Sequence, residues 1–141
     1  MNDEINAARE GTKTNTYRVE TFRAPELRLL GYVDEDKVTF YRASTRRHTD
    51  GSEFDISGLM SLPKVEILYS YVEPSTALVK ALVAEGARGL VFAGTGAGSL
   101  STAELDALKP IGALPTASRP ILVRSNRTGN GRVIASPLET K

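Results

Sequence analysis

The sequence predicts an α/β fold, in which a parallel βαβαβ sheet follows a segment that contains a β-hairpin. After Pro63, three short apolar runs alternate with two stretches whose apolar residues recur at helical spacing. Before Pro63, short β-favouring runs alternate with charges and turn residues. This change of pattern predicts a boundary between residues 1–61 and residues 62–141.

The first part is predicted to be extended, with one hairpin. β-Favouring runs cover Tyr17–Phe22, Leu29–Val33 and Val38–Arg42, and the polar stretch Asp34–Lys37 connects the last two. A further short apolar stretch over Phe54–Met60 predicts one helical turn. Large apolar residues are too few here to form a core.

The pattern of apolar residues in the second part predicts alternating strands and helices. A strand that is apolar throughout is typical of a position buried on both faces of a parallel sheet. We expect Ser75 to cap the first helix, Gly86 to stop it in a left-handed conformation, and Pro110 to end the second helix. The short links favour right-handed crossovers. The predicted elements are strand Val65–Tyr71, a helix from Ser75 to Gly86, the apolar strand Gly89–Ala93, helix Thr102–Lys109 and strand Pro120–Arg124.

Composition excludes several classes of function. With 18 basic and 17 acidic residues, the chain gives no reason to expect a nucleic acid or an anionic membrane as partner. No apolar run approaches the roughly 20 residues that span a bilayer, and the polar start does not resemble a secretory signal. The chain as given is therefore predicted to be cytoplasmic, whereas a complete parent protein could be periplasmic. It has no cysteine and one histidine, His48. We therefore predict no cofactor and no metal site.

The loop Gly94-Thr-Gly-Ala-Gly-Ser99 is the candidate ligand site, because it leaves a buried strand and leads into a helix. Open parallel sheets bind ligands at the carboxyl ends of their strands, and glycines let the backbone approach a ligand closely. The same glycines also fit a plain tight turn, and the loop alone does not decide between the two. A dinucleotide site is disfavoured, because the spacing is G-x-G-x-G and the next strand ends in Arg124 rather than an acidic residue.

Two other clusters are weaker candidates. The basic residues Arg42, Arg46, Arg47 and His48 could contact phosphate, but no aromatic ladder accompanies them, which favours a solvated loop. The acidic run at residues 34–36 lacks the ligand spacing of a calcium loop.

Four blocks of the sequence carry a resemblance to a known family. They are, in order, Asn6-Ala-Ala-Arg-Glu-Gly-Thr-Lys-Thr-Asn-Thr16, Leu62–Tyr71, Gly89–Leu100 and Val123–Gly131. Together they resemble the bacterial L-asparaginase and glutaminase-asparaginase family. The resemblance implies that residues 1–61 are the end of the family's N-terminal domain with the linker. It also implies that residues 62–141 are most of its flavodoxin-like or Rossmann-like C-terminal domain, lacking the closing strand and helix.

The resemblance implies hydrolysis of L-asparagine, and of L-glutamine, to the acid and ammonia. The family's catalytic threonines lie in a Thr-Gly-Gly-Thr-Ile block and a His-Gly-Thr-Asp-Thr block, and neither occurs in this sequence. A hydroxyl attacks an amide only where a base activates it and donors hold the oxyanion. We therefore expect a fragment that is inactive alone. The alternative is a non-catalytic binding or regulatory module that docks on a full-length asparaginase.

The resemblance also implies a partner and two substrate contacts. Family active sites lie between one subunit's C-terminal domain and the N-terminal domain of a neighbouring subunit, so the complete enzyme would be a homo-oligomer. Ser99 matches the family's loop residue that contacts the substrate. Glu139 is the nearest match to the family's substrate-binding carboxylate. The chain departs from the family at Gly11, and at Pro110 and Pro115, which interrupt a stretch that is helical in the family.

Overall fold

The first of two compact units, Met1–Gly58, contains short strands and, in its described part, one 3-10 turn. The computed structural model describes residues 2–134. Strands β1, β4 and β5 form one antiparallel sheet in the order β1-β4-β5, and β2 pairs with β3 in a separate antiparallel ribbon. The strands are β1 (Glu4–Ile5), β2 (Thr12–Lys13), β3 (Phe22–Arg23), β4 (Gly31–Asp34) and β5 (Lys37–Phe40).

The predicted hairpin is confirmed. Strands β4 and β5 pair from Gly31 with Phe40 to Asp34 with Lys37, leaving a two-residue loop. As predicted, this unit has almost no apolar core: among its described hydrophobic side chains, Ala24 alone is fully buried.

The strand predicted over Tyr17–Phe22 is wrong for most of its length. The backbone nitrogens of Tyr17 and Arg18 donate to Oδ1 of Asn15 at 2.9 and 3.0 Å. An asparagine side chain that bonds the backbone two residues ahead folds the chain into a turn. Only Phe22 enters a strand, β3.

The helical turn predicted over Phe54–Met60 is also wrong. A 3-10 turn lies earlier, at Thr49–Gly51, and the backbone nitrogen of Ser57 donates to Oδ1 of Asp55 at 2.9 Å. That local hydrogen bond competes with helical pairing.

The second unit, Leu59–Lys141, confirms the predicted α/β fold. Its three strands pair in parallel in the order β6-β7-β8, with β7 in the centre. Its elements are β6 (Val65–Tyr69), α1 (Ala77–Ala84), β7 (Gly89–Gly94), α2 (Thr102–Gly112) and β8 (Ile121–Asn126).

The core of this unit lies between the sheet and its two helices. Leu90 and Phe92 of β7 are 0% and 2% exposed, and they pack with Val79 of α1 and Ile111 of α2. The apolar run of β7 is therefore almost completely buried, as its composition predicted. Of the helices within residues 2–134, none is long and apolar enough to cross a membrane.

The two ends of α1 differ in how well the sequence predicted them. Gly86 follows the helix with φ of +85°, which is the predicted left-handed stop. The N-terminal cap is Thr76 rather than Ser75, and its side chain makes no capping hydrogen bond. Because no side-chain hydrogen bond distinguishes the cap, the sequence makes Ser75 and Thr76 equally suitable as the N-terminal cap.

The predicted end of α2 is wrong, because the helix continues through Pro110 to Gly112. Proline lacks a backbone N–H, so its presence removes one intrahelical hydrogen bond. That loss falls in the last turn, where Ala113 donates to the oxygen of Pro110 at 3.2 Å and Leu114 to that of Ile111 at 3.1 Å. Pro110 therefore tightens the end of the helix without interrupting it.

Candidate functional site

The glycine-rich loop from Gly94 to Ser99 is a closed turn at the carboxyl end of β7. The backbone nitrogen of Thr95 donates to the oxygen of Ser99 at 3.0 Å, and the nitrogen of Ser99 donates back at 2.8 Å. The nitrogen of Gly98 also donates to the oxygen of Thr95, at 3.0 Å. These three bonds fix the backbone at both ends of the loop.

Two of the three glycines are required by the turn itself. A Cβ at Gly94 would lie 2.6 Å from the carbonyl carbon of Gly98. Gly98 has φ of +90°, and a Cβ there would lie 2.9 Å from a methyl group of Val133. Gly96 has φ of +50° but nothing within 4 Å of its Cβ position. The tight-turn interpretation thus explains Gly94 and Gly98, while the tip of the loop at Gly96 stays open.

Ser99 combines a fixed backbone with a free side chain. Its side chain is exposed, and within residues 2–134 its hydroxyl has no hydrogen-bond partner. A hydroxyl is one donor and two acceptors. The loop therefore presents an available hydrogen-bonding group at the carboxyl edge of the sheet, where α/β folds bind ligands.

Glu104 anchors the loop, a role that was not predicted from the sequence. Its carboxylate is only 4% exposed. Oε1 accepts from the hydroxyl of Ser70 at 2.7 Å, and Oε2 accepts from the backbone nitrogen and hydroxyl of Ser101 at 2.8 and 2.9 Å. The carboxylate thus joins the end of β6 to the exit of the loop. The signal was present, because serine followed three residues later by glutamate is the pattern of a helix capping box.

The segment after β8 packs against the same loop. The backbone nitrogen of Ile134 donates to the oxygen of Ala97 at 3.2 Å, and that of Arg127 donates to the oxygen of Gly94 at 2.9 Å. The structure therefore brings the chain that follows β8 to the loop that carries Ser99. Glu139, the other predicted substrate contact, lies outside the described residues.

The basic cluster of the first unit makes contacts within the unit. Arg47 pairs with Glu53 at 2.7 Å, and Nδ1 of His48 lies 2.7 Å from Oδ1 of Asp50. The hydrogen bond from His48 lowers the pKa of the Asp50 carboxyl. The guanidinium of Arg42 donates to backbone oxygens. Within residues 2–134, no three or more histidine, cysteine or acidic side chains gather where they could hold a metal.

Two protein-family models match the chain in sequence order. The model for the N-terminal asparaginase domain matches residues 1–46. The model for the glutaminase/asparaginase C-terminal domain matches residues 64–141, which is more than half of the chain. The chain belongs to the glutaminase and asparaginase family. The resemblance of its sequence blocks to that family is confirmed.

Individual relatives agree with this family membership. The chain is 41% identical over 133 residues to L-asparaginase 2 of Bacillus subtilis, covering 94% of this chain and 34% of the relative. It is 40% identical over 131 residues to L-asparaginase 2 of Escherichia coli, covering 93% and 36%. It is 43% identical over 111 residues to the glutaminase-asparaginase of Pseudomonas fluorescens, covering 79% and 30%. The chain thus spans about a third of the length of these relatives.

A solved structure matches most of the chain. The crystal structure of a probable cytoplasmic L-asparaginase from Campylobacter jejuni superposes with a TM-score of 0.86 at 40% identity, covering 98% of this chain and 42% of that one. Another relative, from Haemophilus influenzae, is named a probable periplasmic L-asparaginase. The relatives differ in compartment, so the cytoplasmic location of this chain stays a prediction.

Proposed function

We propose that this chain provides the substrate-contacting C-terminal domain of an enzyme that hydrolyses L-asparagine, and also L-glutamine, to the acid and ammonia. Family membership supports the reaction class, and relatives named L-asparaginase and glutaminase-asparaginase support both amides. The observation that carries the proposal is the exposed, unbonded hydroxyl of Ser99 on a loop whose backbone is fixed at both ends.

The chemistry of the substrate fits this group. Both amino acids carry a charged α-amino and a charged α-carboxylate group. A hydroxyl accepts a hydrogen bond from the α-amino group and donates one to the α-carboxylate. We assign Ser99 to hold this charged end of the substrate, directly or through a water molecule. Glu139 is proposed as the partner of the α-amino group, because a carboxylate pairs well with an ammonium. The packing of Ile134 against Ala97 supports a second contact from the chain that follows β8.

The catalytic threonines are proposed to come from another subunit. Neither threonine block of the family occurs in this sequence, and without an activated nucleophile the carbonyl of an amide is not attacked. In the complete homo-oligomer, residues 62–141 would lie against the N-terminal domain of a neighbouring subunit. We therefore expect the separate chain to be inactive.

A domain graft tests the proposal. Residues 62–141 replace the matching domain of L-asparaginase 2 from Escherichia coli, and ammonia release from asparagine and glutamine is measured. We expect the chimera to hydrolyse asparagine and the separate chain to release no ammonia above the uncatalysed background. A chimera that is folded and assembled but inactive would refute the proposed domain role.

Two further measurements are made with the separate chain. Ammonia release by it, if abolished by one substitution in the chain, would overturn the assignment of the threonines to another subunit. A change in the activity of the full-length enzyme when the separate chain is added would instead support a regulatory module.

A further inference from the structure

The segment that follows β8 contains the one asparagine of the chain that precedes a glycine. The five asparagines are followed, in order, by Asp3, Ala7, Thr16, Arg127 and Gly131. A following side chain crowds the backbone nitrogen next to an asparagine, whereas glycine leaves that nitrogen accessible and adopts more backbone conformations. Asn130 and Gly131 are both exposed, so water reaches the pair.

The structure places the backbone nitrogen of Gly131 against the side-chain amide of Asn130. This N–H donates to Oδ1 of Asn130 at 3.2 Å, and within residues 2–134 it makes no other hydrogen bond. Gly131 has φ of +90°, and nothing in the described part of the chain lies within 4 Å of its Cβ position. The nitrogen therefore lies beside the amide group that it can attack, and no backbone oxygen holds its proton.

Asn126, at the end of β8, has the opposite arrangement. The backbone nitrogen that follows it belongs to Arg127 and donates to the oxygen of Gly94 at 2.9 Å. This hydrogen bond holds the nitrogen away from attack, and the side chain of Arg127 crowds it further. The same segment thus contains one reactive asparagine, Asn130, and one protected asparagine.

We propose that Asn130 is a self-modification site, at which the chain deamidates through a cyclic succinimide. The nitrogen of Gly131 loses its proton to solvent and bonds to Cγ of Asn130, while the bond from Cγ to the side-chain nitrogen breaks and ammonia leaves. Water then opens the ring. Breaking the ring bond to Cγ gives aspartate, and breaking the ring bond to the main-chain carbon gives isoaspartate. One water is consumed, one ammonia is released, and nothing is oxidised or reduced.

The modified segment packs against the loop of Ser99. Val133 lies against Gly98, and the backbone nitrogen of Ile134 donates to the oxygen of Ala97 at 3.2 Å. Isoaspartate adds a charge and lengthens the main chain by one methylene group three residues before Val133, so it should loosen this packing. The inference does not depend on the proposed function, because the reaction needs no substrate and releases at most one ammonia per chain.

Incubation of the full chain at mildly alkaline pH tests the proposal. Peptide mass spectrometry measures the conversion of each asparagine to the acid, and an isoaspartyl methyltransferase labels isoaspartate. We expect Asn130 to convert at least tenfold faster than Asn126, with isoaspartate among the products. Equal rates at the two positions would overturn the proposal. Aspartate without isoaspartate would also overturn it, because that product indicates direct hydrolysis by water.

Hydrogen exchange of the modified chain tests the effect on packing. The backbone N–H of Ile134 should exchange faster after conversion of Asn130, because its hydrogen bond to Ala97 is weakened. Unchanged exchange at Ile134 would overturn the coupling between the modification and the loop.

Two alanine variants test which nitrogen attacks. Gly131→Ala crowds the attacking nitrogen and should slow the conversion of Asn130 at least tenfold. The matched control is Gly129→Ala, because Gly129 also has a positive φ, at +83°, and an open Cβ position. It strains the same segment without crowding the nitrogen of Gly131, so it should slow the conversion far less. Equal slowing by the two variants would contradict attack by Gly131.

Discussion

The hydroxyl of Ser70 donates a hydrogen bond to Oε1 of Glu104 at 2.7 Å, and both side chains are almost completely buried. Ser70 follows β6, whereas Glu104 lies in the first turn of α2. The second carboxylate oxygen accepts from Ser101. A buried carboxylate is tolerated only where hydrogen bonds replace its hydration, and here those bonds also hold the exit of the glycine-rich loop.

Removing the Glu104 carboxylate should destabilise the second unit. Glu104→Ala leaves the hydroxyl of Ser70 and the backbone nitrogen of Ser101 without their acceptor, at a cost of about 3 kcal/mol. Glu104→Gln keeps one acceptor and should cost about 1 kcal/mol. Urea unfolding monitored by circular dichroism measures the free energy of unfolding of both variants. Asp106→Asn, an exposed change in the same helix, is the control and should stay within about 0.5 kcal/mol of the parent. A Glu104→Ala variant as stable as the control would contradict the anchoring role.

Gly98 should tolerate alanine much less well than Gly96. Both have positive φ, which costs an alanine about 1 kcal/mol, but only Gly98 has close neighbours around its Cβ position. We expect Gly98→Ala to destabilise by at least about 2 kcal/mol and Gly96→Ala by about 1 kcal/mol. Adding Val133→Ala should recover part of the loss at Gly98, because it removes the methyl group at 2.9 Å. The absence of any recovery would show that the backbone alone accounts for the cost.

The ion pair between Lys64 and Glu85 should be visible in the titration of both groups. Their side chains meet at 2.7 Å, and this hydrogen bond lowers the pKa of Glu85 from 4.5 and raises that of Lys64 from 10.5. The stabilisation from Glu85 is present above pH 4.5 and is lost as pH falls through its lowered pKa. That from Lys64 is present below pH 10.5 and is lost as pH rises through its raised pKa.

Carbon-detected NMR titration of the Glu85 carboxyl tests this pair. Lys64→Gln should return the pKa of Glu85 towards its ordinary value, whereas Lys80→Gln, elsewhere on α1, should leave it unchanged. Exposed pairs are strongly screened, so little change in thermal stability is expected. Identical Glu85 titrations in the parent and in Lys64→Gln would disprove the pairing.

The sequence predicted those parts of the fold that depend on local pattern. The run from Gly89 to Ala93 is apolar at every position, and it became the buried central strand. Errors arose where one local hydrogen bond decided the outcome. Oδ1 of Asn15 turned a β-favouring run away from strand, and the last-turn bonds around Pro110 let α2 continue. Composition and periodicity do not reveal such single bonds.

The candidate site was only partly predictable for a related reason. Ser99 could be found because a glycine-rich loop after a buried strand is visible in the sequence. Glu104 was missed although its capping-box spacing is local, because its bond to Ser70 joins residues 34 positions apart. The approach of Ile134 to Ala97 likewise depends on tertiary packing, which no local pattern records.

Ser99 should contribute to substrate hydrolysis in the chimera that carries residues 62–141. Ser99→Ala removes a hydroxyl assigned to the charged end of the substrate, and hydrogen bonds to charged groups contribute roughly 1.5–3 kcal/mol. We therefore expect kcat/KM for asparagine to fall about 10- to 150-fold. Ser99→Asn keeps a donor and an acceptor on a longer side chain, so asparagine hydrolysis should persist while the larger glutamine is disfavoured. Ser118→Ala, an exposed serine in the 3-10 turn before β8, controls for the loss of a hydroxyl elsewhere. If Ser99→Ala and Ser118→Ala have equal kcat/KM on both amides, Ser99 is only a turn residue and its assignment to the substrate fails.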